Sequence, residues 1–367
     1  MGINRRQFSL LLGASLVTPK LLAAKGQPLY SSAAKNSAGQ YELLVADEHG
    51  NIHLRHPLPA RAHHVEQHPK QSLLAAVGRR PETFIDLVDY QQKRLVKRIN
   101  SRPGYHFYGH AIFTPDGRYL ITTENQITTG KGQIVIRDSL KDYQISSQFS
   151  SAGIGPHELQ LMPDAETLVV ANGGILTHPD RGREKLNLEE MKPSLAYLSL
   201  PTGKILEQVF MPDELHKLSI RHFDVNHQGR IAIALQYQGA KTDHVPLVAF
   251  HSRGSDLQLV YAPDAINQAM KQYCGSARFD ASGEFAAISS PRGNLVTFWN
   301  QKTGTFIRSV NSRDGCGLAK TDQAGEFLVT TGRGHCYRLN LHTGSKQKLP
   351  LISLNKLSWD NHLNSFF

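Results

Sequence analysis

Apolar and polar residues alternate with a period of two along most of the chain, in short runs separated by turns rich in glycine and aspartate. GQIVIRD from Gly132 and NLVTFWN from Asn294 are typical runs. Such alternation predicts β-strands with one buried face. Helical periodicity is confined to two short segments, 184–191 and 264–272. The pattern therefore predicts an all-β protein.

The strand pattern repeats along the chain. Its two clearest copies begin at Cys274 and Cys316 and share the pattern C-G-x-A-[RK]-x-D-x-[SA]-G-E-F. Five further segments fit the same frame, which makes seven copies; they begin at His63, Gly109, Pro156, Arg221 and Ser353. Each copy continues with two more strand-like runs. Seven units of four antiparallel strands predict a seven-bladed β-propeller.

The two ends of the chain suggest how this propeller closes. The segment from Tyr41 offers two strands with no inner pair before them, and the chain stops after two strands. We predict a clasp in which the C-terminal pair is innermost and the N-terminal pair outermost in one shared blade, because such pairing removes free sheet edges. A single propeller domain then covers 41–367, and residues 25–40 are a flexible linker.

Residues 1–24 resemble an export signal. Arg5 and Arg6 precede the apolar run FSLLLGASLV and a small-residue end at Ala24. The stretch NRRQFSL is similar to a twin-arginine signal, so we predict export to the periplasm; a general secretory signal is the alternative. The apolar run is shorter than the roughly 20 residues of a membrane span, and we predict no transmembrane segment in the mature chain.

The charge and the cysteine content exclude some classes of function. Removing residues 1–24 lowers the net charge from +10 to +7, and no dense basic block or stripe indicates nucleic-acid binding. Three cysteines do not make a disulfide framework. Cys274 and Cys316 could be free buried thiols, a disulfide or metal ligands, whereas Cys336 lies in a strand and is predicted to be core.

Candidate metal ligands gather at one rim of the predicted propeller. The first strand of each blade lines the central channel, so the start of each copy faces the others. The residues gathered there are His64, His110, His157, Glu158, His222, Cys274 and Cys316, with Ser353 or Leu354 in the last copy. Histidine and cysteine suit copper, zinc or iron, which predicts a metal site. Alternatively, each of these side chains only caps backbone groups near channel water.

Cationic residues form a second candidate site on the same rim. The loop after Asn172 and the other loops between second and third strands supply most of them; the set is His178, Arg181, Arg183, Arg221, Arg292 and Arg333. Guanidinium forks suit carboxylates and phosphates, so these residues predict an anionic small ligand. Alternatively, they pair with acidic residues of their own loop, namely Asp180, Glu184, Glu189 and Glu190.

Several sequence blocks resemble one bacterial family, domain of unknown function 1513, over nearly the whole mature chain. They include GHAIFTPDGRYLITTEN, GIGPHEL, VVANGGILTHPDRGREKLNL, SIRHFD, YCGSARFD and SSPRGN. The resemblance implies a twin-arginine-exported, periplasmic propeller of the YVTN/WD40-like type. It also implies iron-related exported partners, imelysin-like and di-haem peroxidase-like. The architecture is similar to the propeller of nitrous oxide reductase, but cysteines and apolar residues at some strand starts leave that enzyme's copper pattern incomplete.

These observations favour a periplasmic binding or scaffold protein in metal or iron handling, with copper or iron as the candidate ion. A metal-dependent periplasmic oxidoreductase is one alternative, and a metal-free protein-interaction platform is another. The sequence contains no Ser-His-Asp motif and no G-x-S-x-G elbow, so it gives little support to nucleophilic hydrolysis.

Overall fold

Seven antiparallel β-sheets are arranged around a central channel in the computed structural model, which describes residues 29–350 and 357–366. The innermost strands contact one another in sequence around the ring, and the last contacts the first. The prediction of an all-β, seven-bladed propeller with four antiparallel strands per blade is confirmed. The predicted export signal, residues 1–24, lies outside the described residues.

The strands follow the chain from blade to blade. Blade 1 contains β1 (Leu29–Lys35), β2 (Tyr41–Asp47) and β3 (Ile52–Leu58), with the C-terminal β28 (Ser358–Trp359) and β29 (Asn364–Phe366). Blade 2 contains β4 (Ala62–Gln67), β5 (Leu73–Gly78), β6 (Phe84–Asp89) and β7 (Arg94–Asn100). Blade 3 contains β8 (Tyr105–Phe113), β9 (Tyr119–Gln126), β10 (Lys131–Asp138) and β11 (Gln144–Ile154). Blade 4 contains β12 (Pro156–Leu161), β13 (Thr167–Asn172), β14 (Ser194–Ser199) and β15 (Ile205–Phe210).

The remaining three blades have the same order. Blade 5 contains β16 (Leu218–Val225), β17 (Ile231–Tyr237), β18 (Val248–His251) and β19 (Gln258–Val260). Blade 6 contains β20 (Ser276–Phe279), β21 (Phe285–Ser290), β22 (Leu295–Asn300) and β23 (Phe306–Asn311). Blade 7 contains β24 (Gly315–Lys320), β25 (Glu326–Thr331), β26 (Cys336–Asn340) and β27 (Lys346–Lys348).

Helical structure is sparse, as the sequence predicts. The described residues contain one short α-helix, α1 (Asp264–Ala269), which lies in the second of the two segments with helical periodicity. Five single 3₁₀ turns occupy Ser139–Lys141, Pro179–Arg181, Leu188–Glu190, Asp213–Leu215 and Pro291–Gly293. None of the helical segments in these ranges is long and apolar enough to cross a membrane.

The hydrophobic core lies between neighbouring blades. The second strand of a blade is buried on both faces, and β5 is buried at every position. One side of β5 packs against β8 of the next blade, where Leu73, Ala75 and Val77 share a cluster with Phe107 and Ala111. The outermost strands are mostly exposed, as β7 shows. The apolar positions of the period-two pattern therefore form the layers between blades.

Blade 1 closes the ring, but its composition differs from the predicted two-plus-two clasp. Three N-terminal strands lie outside, and the C-terminal β28 and β29 both pair with β1 as one interrupted inner strand. The predicted linker, residues 25–40, is wrong over Leu29–Lys35, because this segment is β1 and pairs with β2 along its whole length. Its small side chains disguise it: Ser31, Ser32, Ala33 and Ala34 are all buried between adjacent strands.

The closing strand should carry a large share of the stability. Trp359 is 7% exposed and packs against Ala34, Leu44 and Leu357. Replacing it with alanine leaves a cavity in the closing blade, and such truncations cost about 3–5 kcal/mol. We expect Trp359→Ala to lower the free energy of unfolding in urea by that amount. Leu140→Ala, at a side chain that is 78% exposed, is the control and should change it by less than about 0.5 kcal/mol. Equal effects of the two variants would contradict the closing role.

Candidate metal centre

β-Bulges interrupt six of the seven inner strands. An extra residue stands in β4 (His63), in β12 (His157) and in β16 (Arg221), where the pairing with the second strand shifts register. Further shifts lie between Phe107 and Ala111 in β8 and between Gly315 and Leu318 in β24. The sixth lies between β28 and β29, and only β20 pairs without a shift. Because a bulge redirects side chains that would alternate between faces, it can aim neighbouring residues at the channel.

Six histidines converge at these bulges in the centre of the channel. They are His63 and His64 of β4, His110 of β8, His157 of β12, His222 of β16, and His362 between β28 and β29. We call this set the histidine cluster. Its closest ring centroids are 4.5 Å apart, for His110 and His362. Each member is at most 7% exposed, so the imidazoles contact one another rather than solvent.

Two carboxylates orient two members of the cluster. His63 Nδ1 lies 3.2 Å from Asp360 Oδ1, and His222 Nδ1 lies 3.1 Å from Glu158 Oε2. Arg61 Nε donates to the other oxygen of Asp360 at 2.5 Å. A carboxylate beside Nδ1 holds the proton on that nitrogen, which leaves the Nε2 atoms of both neutral imidazoles with lone pairs. This is how proteins commonly orient histidines that bind metal.

The Nε2 atoms meet at His157. Its Nε2 lies 3.4 Å from His63 Nε2 and 3.3 Å from His222 Nε2. The Nε2 atom of His157 can carry at most one proton, so it can satisfy at most one of the lone pairs that face it from His63 and His222. Nitrogens bound at 2.0–2.1 Å to one tetrahedral ion are separated by about 3.3 Å. Both separations from His157 Nε2 therefore match the separation of two ligands on one ion.

Other nitrogens of the cluster have no hydrogen-bond partner among the described residues. They are the buried Nε2 atoms of His110 and His362 and the buried Nδ1 atoms of His64 and His157. Leaving such an atom unsatisfied costs about 1–3 kcal/mol. Ligand atoms lie within 4.8 Å of one another in three overlapping groups: His63, His110 and His157; His63, His222 and His362; and His110, Glu158 and His222. A cation at this position would satisfy several of these atoms at once.

Two glycines make room for the cluster. Gly109 has a φ of +111°, and a Cβ at this position would lie 2.8 Å from Cδ2 of His63. A Cβ at Gly317 would lie 3.0 Å from the backbone of both His362 and Leu363. Any larger residue at either position would push these backbones or rings apart. Blades 3 and 7 therefore approach the centre more closely than a side chain would allow.

The cluster is electrostatically suited to bind a cation. Burial lowers the pKa of His63 and of His64 to about 3. It also holds the pKa of His110, His157 and His362 well below the ordinary value, and the pKa of His222 below it. Burial alone would raise the pKa of Asp360, but hydrogen bonds from His63 and Arg61 outweigh it and lower that pKa. At neutral pH the centre thus holds neutral imidazoles, the form that binds metals.

The structure brings together four of the predicted histidine ligands, His64, His110, His157 and His222, with Glu158 beside them. Sequence reasoning missed His63 and His362. From the first copy the sequence analysis takes His64 alone, whereas the bulge in β4 presents His63 as well. The alternatives for the last copy, Ser353 and Leu354, lie outside the described residues, and the described inner strand of that blade supplies His362.

The cysteines lie apart from the cluster. All three are free and buried, so no disulfide joins Cys274 to Cys316. Sγ of Cys274 is 3.4 Å from the carbonyl of Leu247, and Sγ of Cys316 is 3.4 Å from the carbonyl of Asp360. Burial raises the pKa of Cys316 and of Cys336 to about 12 and raises that of Cys274 as well. Neither of the two predicted cysteine ligands belongs to a group of potential metal ligands in the described residues.

The predicted anion-binding residues divide into two sets. His178 and Arg181 interact within their own loop, with Asp180 at 3.7 Å and Glu184 at 3.5 Å. Arg183, Arg221, Arg292 and Arg333 form no ion pair within the described ranges. The positive charges of Arg292 and Arg221 contribute, after burial, to lowering the pKa of Lys185, which places these three cations near one another. Arg292 also stacks on Tyr273, 4.1 Å from the ring centroid.

Comparison with known proteins agrees with this architecture. No curated protein sequence matches the chain. The structure of Kuenenia stuttgartiensis hydrazine synthase is similar, with a TM-score of 0.58 and 13% sequence identity over 86% of this chain and 94% of that one. A likeness at this identity shows the fold alone. Residues 56–366 match the family described as "Protein of unknown function (DUF1513)", and with most of its length matched the chain belongs to this family.

Proposed function

We propose that the protein binds a transition-metal ion at the histidine cluster. The observation that carries this proposal is that His157 Nε2 faces the Nε2 atoms of His63 and His222 at 3.4 Å and 3.3 Å, within a cluster that holds three groups of potential ligands. Their tautomers leave more lone pairs than protons at this point, and a cation relieves that repulsion. Imidazole ligands suit copper, zinc and iron, and copper or iron remains our candidate for the resident ion.

The number of imidazoles bears on the kind of metal centre. Six histidines exceed the four ligands of a closed tetrahedral site, and the three groups of potential ligands share members. The cluster could therefore hold more than one ion, or one ion with exchangeable positions. This feature supports a second candidate function, a metal-dependent oxidoreductase. A redox-active ion with an optical or paramagnetic signal that responds to a reductant distinguishes this function from metal storage or scaffolding.

The cellular setting belongs to the same proposal. The twin-arginine-like segment supports export to the periplasm, and that route carries folded proteins. The family resemblance supports a role in metal or iron handling beside exported imelysin-like or di-haem peroxidase-like proteins. An anionic small ligand at the rim where the inner strands begin is supported by three cations, Arg183, Arg221 and Arg292. They form no ion pair within 29–350 and 357–366. A partner that co-purifies with metal-free protein would favour the interaction platform instead.

The double variant His110→Ala/His222→Ala tests the proposed site. It removes a member from each of the three groups of potential ligands, so we expect at least a 100-fold loss of copper affinity in competition with a chromophoric chelator. His68→Ala is the matched control, because His68 directly follows β4 and is equally buried but bonds to the carbonyl of Gly117 outside the cluster. Equal copper affinities in the double variant and the control would contradict the site.

The carboxylate of Glu158 should tune the centre through His222. Glu158→Gln retains a hydrogen-bond acceptor for His222 Nδ1 but removes the negative charge. Loss of such outer partners lowers metal affinity about 10–100-fold, and we expect a decrease in that range with little change in thermal stability. An unchanged affinity would show that Glu158 does not act on a bound ion.

The metal-free protein should lose stability as the pH falls. Unfolded imidazoles titrate near pH 6.5, whereas the pKa of His63 and of His64 in the folded protein is about 3. Between these values the unfolded chain binds more protons, so each such group removes about 1.4 kcal/mol per pH unit. We expect the free energy of unfolding to fall steeply from pH 6.5 to pH 4, and less steeply in the double variant. Identical slopes would contradict the burial of neutral imidazoles.

A further inference from the structure

The histidine cluster borders a cavity on the side of the channel opposite to the predicted rim. This cavity of about 420 Å³ lies among the C-terminal ends of the inner strands. His64, His110 and Glu158 line it where it meets the cluster, and Leu161 and Lys320 line it farther out. We call it the chamber. Its volume is within the usual range for small-molecule sites.

The rim where the inner strands begin differs from the chamber side in what its cavity contacts. A larger cavity there, of about 890 Å³, is lined by Lys185, Lys241 and Arg292 among others, but by no member of the histidine cluster. On that side Asp360 accepts from Arg61 and pairs with Nδ1 of His63. Tyr108, 4% exposed, lies with its ring 6.2 Å from that of His157. Of these two cavities, the chamber is the one that reaches the imidazoles.

Arg278 of β20 is a cation in the wall of the chamber. Its Nη1 donates to Asp224 at 3.2 Å and its Nε to the carbonyl of Leu318 at 3.4 Å, while Nη2 makes no hydrogen bond to the described residues. Arg278 lines the chamber together with His64 and His110 of the histidine cluster. β20 is also the inner strand without a bulge. Blade 6 therefore presents the Arg278 guanidinium to the chamber, whereas the bulged strands that carry histidines present imidazoles to the centre.

We propose that the chamber binds a small anion between the Arg278 guanidinium and the ion held by the histidine cluster, and that it is the route by which the anion reaches that ion. The proposal rests on the proposed metal centre. Arg278 has an N–H group to spare, and the ion is the second positive partner facing the same space. An anion of a few atoms with a lone pair for the ion fits the volume. The carboxyl groups of Glu66 and Glu158 also line the chamber, so the anion must lie on the side of Arg278.

The route can be tested by closing one rim at a time. Lys320→Cys and Lys241→Cys both replace exposed lysines that line a cavity, the first at the chamber and the second at the opposite rim. The native cysteines are buried, so a bulky maleimide should label only the introduced thiol. Azide is the probe, and its charge-transfer band with copper(II)-loaded protein reports binding in stopped flow. We expect labelled Lys320→Cys to slow azide binding at least tenfold and labelled Lys241→Cys to change it less than twofold.

The opposite pattern, or equal rates in both labelled proteins, would overturn the route. Protein that takes up no copper would refute the proposed metal centre and with it the anion site. The route can then be tested separately on the metal-free protein. In that case the modification of His64 by diethyl pyrocarbonate, followed by peptide mass spectrometry, should slow at least tenfold with the label at position 320 only. A rate that the label does not change would overturn the route in that form as well.

The anchoring role of Arg278 has its own test. Arg278→Met should raise the Kd for azide at least tenfold in copper-loaded protein, and Arg278→Lys should restore part of the loss. Copper content must stay unchanged in both variants, since Arg278 is not among the groups of potential ligands. An unchanged Kd for azide in Arg278→Met would overturn the anion site. If that variant fails to fold because Asp224 loses its partner, the lysine variant and the labelled proteins still decide the question.

Discussion

The pairing of β1 with the C-terminal β28 and β29 is the interaction on which the rest of the molecule depends. It closes the ring, so that the inner strand of blade 1 contacts those of its two neighbours. It also delivers two residues of the centre, because Asp360 and His362 stand in the interruption between the two short strands. Closure therefore serves stability and site together: a propeller with an open blade 1 would lose both a sheet and a wall of the histidine cluster.

The inner strands are irregular where they build this centre. Each bulge leaves part of the hydrogen-bond ladder unpaired. In a regular strand, neighbouring side chains would point to opposite faces, whereas the bulges turn His63 and His157 toward the channel. Burial then keeps the imidazoles uncharged, and Asp360 and Glu158 set the tautomers of two of them. Three features thus favour a cation at this place: the bulges, the burial of the imidazoles and the orientation of their lone pairs. The chamber adds space for a further ligand on the side of Arg278.

Much of the fold could be predicted from the sequence, because the period-two pattern and its seven copies are strong local signals. β1 was missed because its serines and alanines lack the branched and aromatic residues that mark strands, and its partner lies more than 300 residues away. The centre could be predicted only in part. Aligning the copies identifies His64, His110, His157 and His222. His63 escapes because the bulge in β4 presents two neighbouring residues, and His362 escapes because the alignment starts the last copy at Ser353 or Leu354. The position of Arg278 beside the histidine cluster depends on how the blades pack around the ring, and no short sequence motif predicts that packing.

X-ray absorption spectroscopy of protein purified after native export, without a metal-binding tag, tests the central claim most directly. The account predicts a near-stoichiometric copper or iron edge, a first shell of nitrogen at about 2.0–2.1 Å, and the outer-shell scattering of several imidazoles. Folded protein without a metal edge, or an ion bound by oxygen alone, would contradict it.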